Sequence, residues 1–240
     1  MKGEMFRPTI RAIGVCVALA THPPAFADAT KSAEFPPVEN ASFHQPVFAD
    51  EDFSVLNNLY PPGGDSGFHT HYLDMFYVVI QAGQASVQNL GKPATAGPRF
   101  AAGTAAFGSL GGEPRVHRVV NGNESTYQII VVQLRRTEPR GNAVSSRETA
   151  KGYTQITDNS RLRAWRLILE PGQSAASISQ LGKGFRVVVR GGLLTTISPG
   201  LPNQILALKP GDHAVQSAGT SRALTNSGTE TIELVEIELK

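Results

Sequence analysis

Apolar residues occur along this chain in short runs, each bounded by Gly, Pro, Asn or Asp. The runs are rich in Val, Ile, Leu, Phe and Tyr and cover residues 53–60, 76–80, 127–134, 162–169, 185–189 and 231–239. Such spacing predicts the strands of a sandwich or barrel, and only residues 145–151 suggest a turn of helix. With 24 Gly, 16 Pro and 40% hydrophobic residues among 240, the composition agrees with an all-β, turn-rich chain.

An internal repeat defines the predicted domains. Residues 62–83 align without a gap on residues 171–192 at an offset of 109, keeping a Pro-Gly turn, a Phe, two Val and a final Gly in register. The alternative is that turn-rich β sequences align by composition alone. A duplicated β-unit predicts two tandem barrels, over residues 49–137 and 153–240, joined by a linker over 138–152. The Pro-rich residues 28–48, which include His44, are expected to form an extended arm.

Histidines supply the densest chemical signal. His69 and His71 alternate along a predicted strand, so both side chains point to one side about 7 Å apart. Imidazole is the commonest protein ligand of first-row divalent ions, and the pair therefore predicts a chelating site. Asp74 adds a carboxylate if the chain bends after His71, and His117 lies on a later strand. Taken singly, Asp74 is better explained as a turn former and His117 as a core histidine.

Together these residues resemble the two sequence motifs of the cupin superfamily. The first motif has Gly, His-x-His, an acid and a strand ending in Gly, and the second has a Gly turn, Pro, His and Asn. The matching residues are Gly64 or Gly63, His69, His71, Asp74 and Gly83, followed by Gly103, Pro114, His117 and Asn121. The resemblance implies jelly-roll barrels. It also implies one divalent transition metal, which could be Fe, Mn, Zn, Ni or Cu, bound by His69, His71, Asp74 and His117.

The acidic position departs from the cupin pattern, in which the acid is usually Glu. Asp74 could instead bind the ion through water or shuttle protons, with Glu113 as a substitute carboxylate.

The second repeat differs at every ligand position. Alignment of the repeats places Ile178, Gln180, Lys183 and Arg222 where the first repeat has its proposed ligands. The chain therefore resembles a bicupin with one metal-binding barrel and one degenerate barrel.

Several side chains are expected around the metal. Tyr77 and Arg115 are predicted to orient a polar substrate, so that Asp74, Tyr77 and Arg115 form the predicted catalytic set. Aromatic and sulfur side chains could wall a pocket, namely Phe68, Tyr72, Met75 and Phe76, although Phe76 is better explained as barrel core.

The resemblance implies a metal-dependent enzyme acting on a small organic molecule, with oxidative cleavage of the kind performed by quercetinase-type dioxygenases as the first expectation. Isomerases, decarboxylases and lyases share the same ligand set, and fold does not choose among them. One alternative is a non-catalytic binding or storage protein with a structural metal. Another is a second repeat that binds a carboxylate through Lys183, Arg186 and Arg222, although Lys and Arg are usually surface side chains.

Residues 1–27 are typical of a secretory signal. Basic residues precede the apolar run 12–20, and Ala25-Phe26-Ala27 forms a small-x-small cleavage site. The alternative is a buried N-terminal helix. Because Cys16 lies inside this segment, the mature chain would lack a thiol nucleophile and a Cys-based zinc site. We expect a periplasmic or secreted protein.

The charge balance bears on partners. Removal of residues 1–27 takes away three of 22 basic residues and one of 20 acidic residues, which leaves a formally neutral chain. Neutrality predicts no nucleic-acid partner and no membrane partner after signal cleavage. The expected partner is a small-molecule substrate, and a homodimer formed by strand exchange through the arm is left open.

Overall fold

The computed structural model describes residues 34–137 and 145–240. The predicted signal segment, residues 1–27, therefore lies outside the described residues, as do residues 28–33 and 138–144. Regular structure is nearly all β, with 56% strand and 3% helix. Among the described residues, no helix combines the length and apolar character that a membrane span needs.

Within the described residues, each repeat contributes nine strands. In the first repeat these are β1 (His44–Ala49), β2 (Phe53–Tyr60), β3 (His69–His71), β4 (Met75–Gln81), β5 (Gly83–Asn89), β6 (Thr95–Phe100), β7 (Ala105–Gly108), β8 (Arg115–Asn121) and β9 (Tyr127–Leu134). In the second they are β10 (Tyr153–Asp158), β11 (Leu162–Leu169), β12 (Ile178–Ser179), β13 (Gly184–Arg190), β14 (Gly192–Ile197), β15 (Gln204–Leu208), β16 (His213–Gln216), β17 (Ser221–Asn226) and β18 (Ile232–Leu239).

The strands form two sheets in each repeat. The first repeat has a five-stranded sheet in the order β1-β2-β9-β4-β7 and a four-stranded sheet in the order β3-β8-β5-β6. The second repeat has the same two orders with nine added to every strand number, β10-β11-β18-β13-β16 and β12-β17-β14-β15. The prediction of an all-β chain built from jelly-roll repeats is confirmed.

The predicted arm differs from the structure in its described part. Residues Val38–Asn40 form a 3₁₀ helix, and β1 pairs with β2 at the edge of the first sheet. The equivalent 3₁₀ helix of the second repeat, Ser146–Glu148, precedes β10 and lies within the predicted turn of helix. Phe43 and Gly152 occupy equivalent positions and both have positive φ, 65° and 96°, so the chain enters β1 and β10 through the same bend. These residues thus belong to the first barrel.

A shared core lies between the two five-stranded sheets. One face of each sheet contributes branched and aromatic side chains, and Phe53 of β2 contacts Phe185 of β13 edge to face at 5.7 Å. The buried members are Phe53, Val55, Phe76, Val78, Ile80, Ile130, Val132 and Leu134 from the first repeat, and Leu162, Ala164, Phe185, Val187, Val189, Val235, Ile237 and Leu239 from the second. The opposite face of each five-stranded sheet faces its own four-stranded sheet, and the space between these two sheets is the barrel interior.

Candidate metal centre

Three histidines of the first repeat converge inside its barrel. His69 and His71 lie on β3, and His117 lies on β8, where the strand register pairs it with His69. The Nε2 atoms of His69 and His71 are 3.2 Å apart, and those of His71 and His117 are 3.0 Å apart. Within residues 34–137 and 145–240, this is the one group of three metal-ligating side chains whose ligand atoms lie close enough to share an ion.

Hydrogen bonding and burial set the protonation of these rings. His69 Nδ1 lies 3.0 Å from the Gly67 carbonyl oxygen, which can only accept, so Nδ1 carries the proton and Nε2 keeps its lone pair. Burial, together with the neighbouring imidazoles, lowers the pKa of His71 to about 3 and of His117 to about 2. All three rings are therefore neutral at pH 7, the form that binds a metal.

The geometry of the three rings fits one shared cation. Metal–nitrogen bonds of about 2.0–2.1 Å place two imidazole nitrogens on the same ion roughly 3.0–3.4 Å apart. The His69–His71 and His71–His117 separations lie in this range. His71 Nε2 lies close to the Nε2 atoms of both other histidines. Without an ion, a proton between His71 Nε2 and one of them would leave the other contact with two lone pairs, or two N–H groups, facing each other. A first-row divalent ion therefore suits the donor set.

The structure does not bring Asp74 to the histidines, which corrects its prediction as a ligand. One carboxylate oxygen accepts from the Leu110 backbone N–H at 2.7 Å and from the Ser109 hydroxyl at 3.1 Å. The other forms an ion pair with Arg161 of the second repeat at 2.9 Å. Both oxygens are thus committed to partners at the border between the repeats, which also leaves Asp74 unsuited to shuttle protons at the metal. The proposed substitute, Glu113, is exposed.

A cavity of about 300 Å³ opens beside the histidines, and both predicted orienting residues line it. Tyr77 and Arg115 share this lining with His71 and His117, and burial raises the pKa of the Tyr77 hydroxyl, which stays protonated. Arg115 is held at one side, since its Nε donates to Asn89 at 3.0 Å. The remaining wall is mostly apolar and includes Val87, Phe100, Val119, Ile129 and Val131.

The side chains predicted to wall the pocket have different locations. Met75 lines the cavity. Phe76 is fully buried in the core between the repeats, as the alternative explanation held. Phe68 contacts Phe35 at 5.6 Å between ring centroids, and Tyr72 is 43% exposed. Neither Phe68 nor Tyr72 is among the residues that line the cavity.

Sequence reasoning missed His44, which it placed in the arm. The ring of His44 contacts that of His69 at 4.7 Å, and its Nδ1 lies 2.9 Å from the Ser42 carbonyl. Its Nε2 therefore accepts, and the hydroxyl of Tyr60 donates to it at 3.0 Å. Both His44 and Tyr60 line the cavity. A signal for this residue was present in the sequence. The offset of 109 also aligns Glu39 with Glu148, so the repeat extends upstream and places His44 opposite Tyr153, at the start of the predicted second barrel.

The corresponding place in the second repeat holds a guanidinium group. Gln180 and Arg222 stand where the first repeat has two of its histidines, and the strand register that pairs Arg222 with β12 confirms the alignment. Arg147, from the 3₁₀ helix before β10, donates to Gln180 at 2.6 Å and to Glu236 at 2.9 Å. An ionic network thus occupies the place in the second barrel that corresponds to the three histidines of the first.

Comparisons with known proteins give a fold but no sequence relative. The sequence matches no protein-family model and no curated protein. Among solved structures, AerE from Microcystis aeruginosa superposes with a TM-score of 0.55 at 12% identity, covering 83% of this chain and 98% of AerE. Salicylate 1,2-dioxygenase from Pseudaminobacter salicylatoxidans superposes with a TM-score of 0.56 at 13% identity, covering 81% of this chain and 75% of that enzyme.

A mutant of the same dioxygenase, solved in complex with gentisate, gives a TM-score of 0.57 at 13% identity over 88% of this chain and 78% of that one. These neighbours are cupin-fold proteins. The chain has the cupin fold in its two-barrel form, as the sequence motifs predicted. At this level of identity the likeness establishes the fold alone.

Proposed function

We propose that this protein is an exported, metal-dependent dioxygenase that cleaves a small aromatic carboxylate. The observation that carries the proposal is the convergence of three neutral imidazoles on one point beside a largely apolar cavity. The structural likeness to a salicylate 1,2-dioxygenase, solved also with gentisate, supports the choice of reaction and substrate class.

The cavity wall supports a ring-shaped substrate. A volume of about 300 Å³ lies at the small end of ligand sites, and the aliphatic side chains around it exclude water and pack against a planar ring. Arg115 is the one guanidinium group on this wall. Because its Nε is occupied by Asn89, its terminal nitrogens remain to bind a substrate carboxylate at the cavity edge.

The polar residues have separate tasks in this scheme. A divalent ion on His69, His71 and His117 supplies Lewis acidity and, when redox-active, reactivity toward dioxygen. Tyr77 keeps its proton and donates to a substrate hydroxyl or carboxylate oxygen. His44 holds the Tyr60 hydroxyl toward the cavity, where its oxygen can accept a hydrogen bond. Both atoms of one dioxygen molecule would end in the ring-opened product.

The rival function is a storage or binding protein with a structural metal. A structural site is closed by protein ligands, whereas a catalytic site keeps coordination positions open. Two of the three histidines line the cavity, and the described acids supply no fourth ligand to the group. This arrangement favours the enzyme.

Metal analysis of the purified protein is the first test. One equivalent of Fe, Mn, Zn, Ni or Cu is expected in wild type and loss of the ion in His71→Ala, with the fold intact by circular dichroism. His213→Ala is the matched control, because His213 is exposed and lies in the second repeat. Retention of a full equivalent by His71→Ala would refute the metal site.

Activity is tested on the metal-loaded protein with salicylate and gentisate in an oxygen electrode. Stoichiometric oxygen uptake is expected with at least one of these aromatic carboxylates and is expected to fall at least tenfold in Arg115→Gln. A metal-replete protein that consumes no oxygen with either compound would favour the binding protein instead.

The export proposal rests on the sequence of residues 1–27. Expression of the full chain in a bacterial host is expected to give a periplasmic product whose N-terminal residue is Asp28. An uncleaved product in the cytoplasmic fraction would contradict it.

A further inference from the structure

Two arginines of the second repeat point into its barrel. Arg186 and Arg222 are 7% and 8% exposed, so they are not the surface side chains that arginine usually provides. Arg186 lies on the same face of β13 as Val188, which packs in the barrel interior. Lys183, which the sequence grouped with them, is separate, because it pairs with Asp52 at 3.2 Å at the border between the repeats.

These positions match the cavity of the first repeat. At the offset of 109, Arg186 corresponds to Tyr77 and Tyr153 corresponds to His44, and both Tyr77 and His44 line that cavity. The second barrel therefore carries a cation and a hydroxyl at the positions where the first barrel lines its substrate cavity.

Several hydrogen-bond donors at this place lack an acceptor. Among the described residues, Nε of Arg186, Nε of Arg222, the hydroxyl of Tyr153 and Nε1 of Trp165 are buried without a hydrogen-bond partner. Arg186 and Trp165 are register neighbours of Glu236 on the two adjoining strands, which brings these groups together. A buried donor left unpaired costs about 1–3 kcal/mol, so an acceptor in their midst would be stabilising.

The carboxylates of this barrel are already in use. Glu236 accepts from Arg147 at 2.9 Å and from Arg222 at 3.0 Å, while Glu238 accepts from Arg147 at 3.1 Å and from Arg163 at 2.9 Å. Arg186, by contrast, has no ion pair with any carboxylate in the described part of the chain, and burial lowers the pKa of its guanidinium. Its attraction to Glu236 acts without a direct ion pair.

We propose that the second barrel binds a small monocarboxylate through the guanidinium groups of Arg186 and Arg222. The planar fork of arginine matches the two oxygens of a carboxylate, and the free donors of Tyr153 and Trp165 complete the site. One negative charge neutralises Arg186. Binding needs no metal, and it is independent of the function proposed for the first barrel.

Isothermal titration with sodium acetate tests the site. The titration uses the full mature chain treated with EDTA and carrying Arg115→Gln, so that neither the metal nor the first cavity contributes. One saturable acetate site per chain is expected. Arg186→Gln is expected to weaken acetate binding at least tenfold, whereas Arg99→Gln, which removes an exposed guanidinium of β6, is expected to leave it unchanged.

Two outcomes would overturn the proposal: absence of saturable acetate binding, or equal affinity in the Arg186→Gln protein. Should Arg186→Gln fail to fold, Tyr153→Phe keeps every charge and is expected to weaken binding severalfold, and unchanged affinity there refutes the site. Sodium chloride titrated in parallel separates the ligand classes, because binding as tight as that of acetate would contradict a carboxylate site.

Discussion

Asp74 and Lys183 occupy the same position in the two repeats and carry opposite charges, and each forms an ion pair with the other repeat. Asp74 pairs with Arg161 at 2.9 Å, and Lys183 pairs with Asp52 at 3.2 Å. Asp52 and Arg161 are themselves equivalent at the offset of 109. The same contact between the repeats thus occurs twice. In one copy the acid comes from the first position and the base from the second, and in the other copy the charges are reversed.

Removal of Asp74 is expected to affect stability and not metal binding. Asp74→Ala leaves Nη1 of Arg161 and the Leu110 N–H without their acceptor, which should cost about 1–3 kcal/mol in urea unfolding. The protein should still hold one equivalent of metal. The double variant Asp74→Lys with Arg161→Asp copies the ion pair of the other repeat and is expected to recover the part of the loss that comes from Arg161, because lysine cannot accept from the Leu110 N–H. A metal-free Asp74→Ala protein would return this residue to the ligand set.

The hydrogen bond between Tyr60 and His44 is expected to serve the cavity and not the ion. Tyr60→Phe removes the donor to His44 Nε2 and should lower the free energy of unfolding by about 1–2 kcal/mol. Metal content should stay at one equivalent in Tyr60→Phe and in His44→Ala, while oxygen uptake falls. Loss of the ion from His44→Ala, with the fold preserved, would show that His44 is a ligand.

Acid is expected to destabilise the metal-free protein from about pH 6.5 downward. Burial lowers the pKa of His44 to about 4 and of His71 to about 3, against an ordinary value of 6.5. Because the unfolded chain binds these protons first, stability is complete above pH 6.5 and is lost as the pH falls toward the folded-state values, by at most about 1.4 kcal/mol per pH unit and group.

Urea unfolding in EDTA between pH 7.5 and 5 measures this slope. His71→Asn is expected to reduce it, because this variant removes one of the buried imidazoles. A free energy of unfolding that does not vary over this range would contradict the assignment of buried neutral imidazoles.

Arg147 is expected to be the most sensitive single charge of the second barrel. Its side chain is fully buried and pairs with Glu236 at 2.8 Å and with Glu238 at 3.1 Å. Arg147→Ala removes one of the two arginine partners of each of these buried carboxylates, and breaking a buried ion pair by removing one partner typically costs about 3–5 kcal/mol. Thermal unfolding should show a large drop for this variant and almost none for the exposed control Arg99→Ala. A loss below about 1 kcal/mol would mean that the network is not stabilising.

The sequence predicted the parts of the site that depend on local spacing. His69 and His71 were found because alternate residues of a strand share a face, and His117 because it follows a recognisable turn. Asp74 was assigned wrongly because its partner, Arg161, lies 87 residues away and no local pattern reveals a long-range ion pair. His44 was missed because a Pro-rich edge strand lacks the alternation that marks a half-buried strand.

The regular spacing of the sequence predicted the two repeats, but it did not predict which side chains fill the interior of the second barrel. Arg147 stands at the offset of 109 from Val38, and Trp165 stands at that offset from Leu56. In the first repeat Val38 and Leu56 belong to an apolar cluster, whereas Arg147 lies over the Trp165 ring at 5.2 Å. The sequence shows each substitution separately, and it does not show that an apolar cluster of the first repeat is replaced as a whole by charged and aromatic side chains in the second.

Because the core between the five-stranded sheets is built from both repeats, each repeat depends on the other for its stability. A gene cut within residues 138–144 would yield two fragments, each with the apolar face of a sheet left bare to water. Neither fragment is expected to be soluble when it is expressed alone, but the two fragments are expected to associate when they are co-expressed. Each repeat is thus needed to cover the apolar sheet face of the other, in addition to any role that its own barrel interior has.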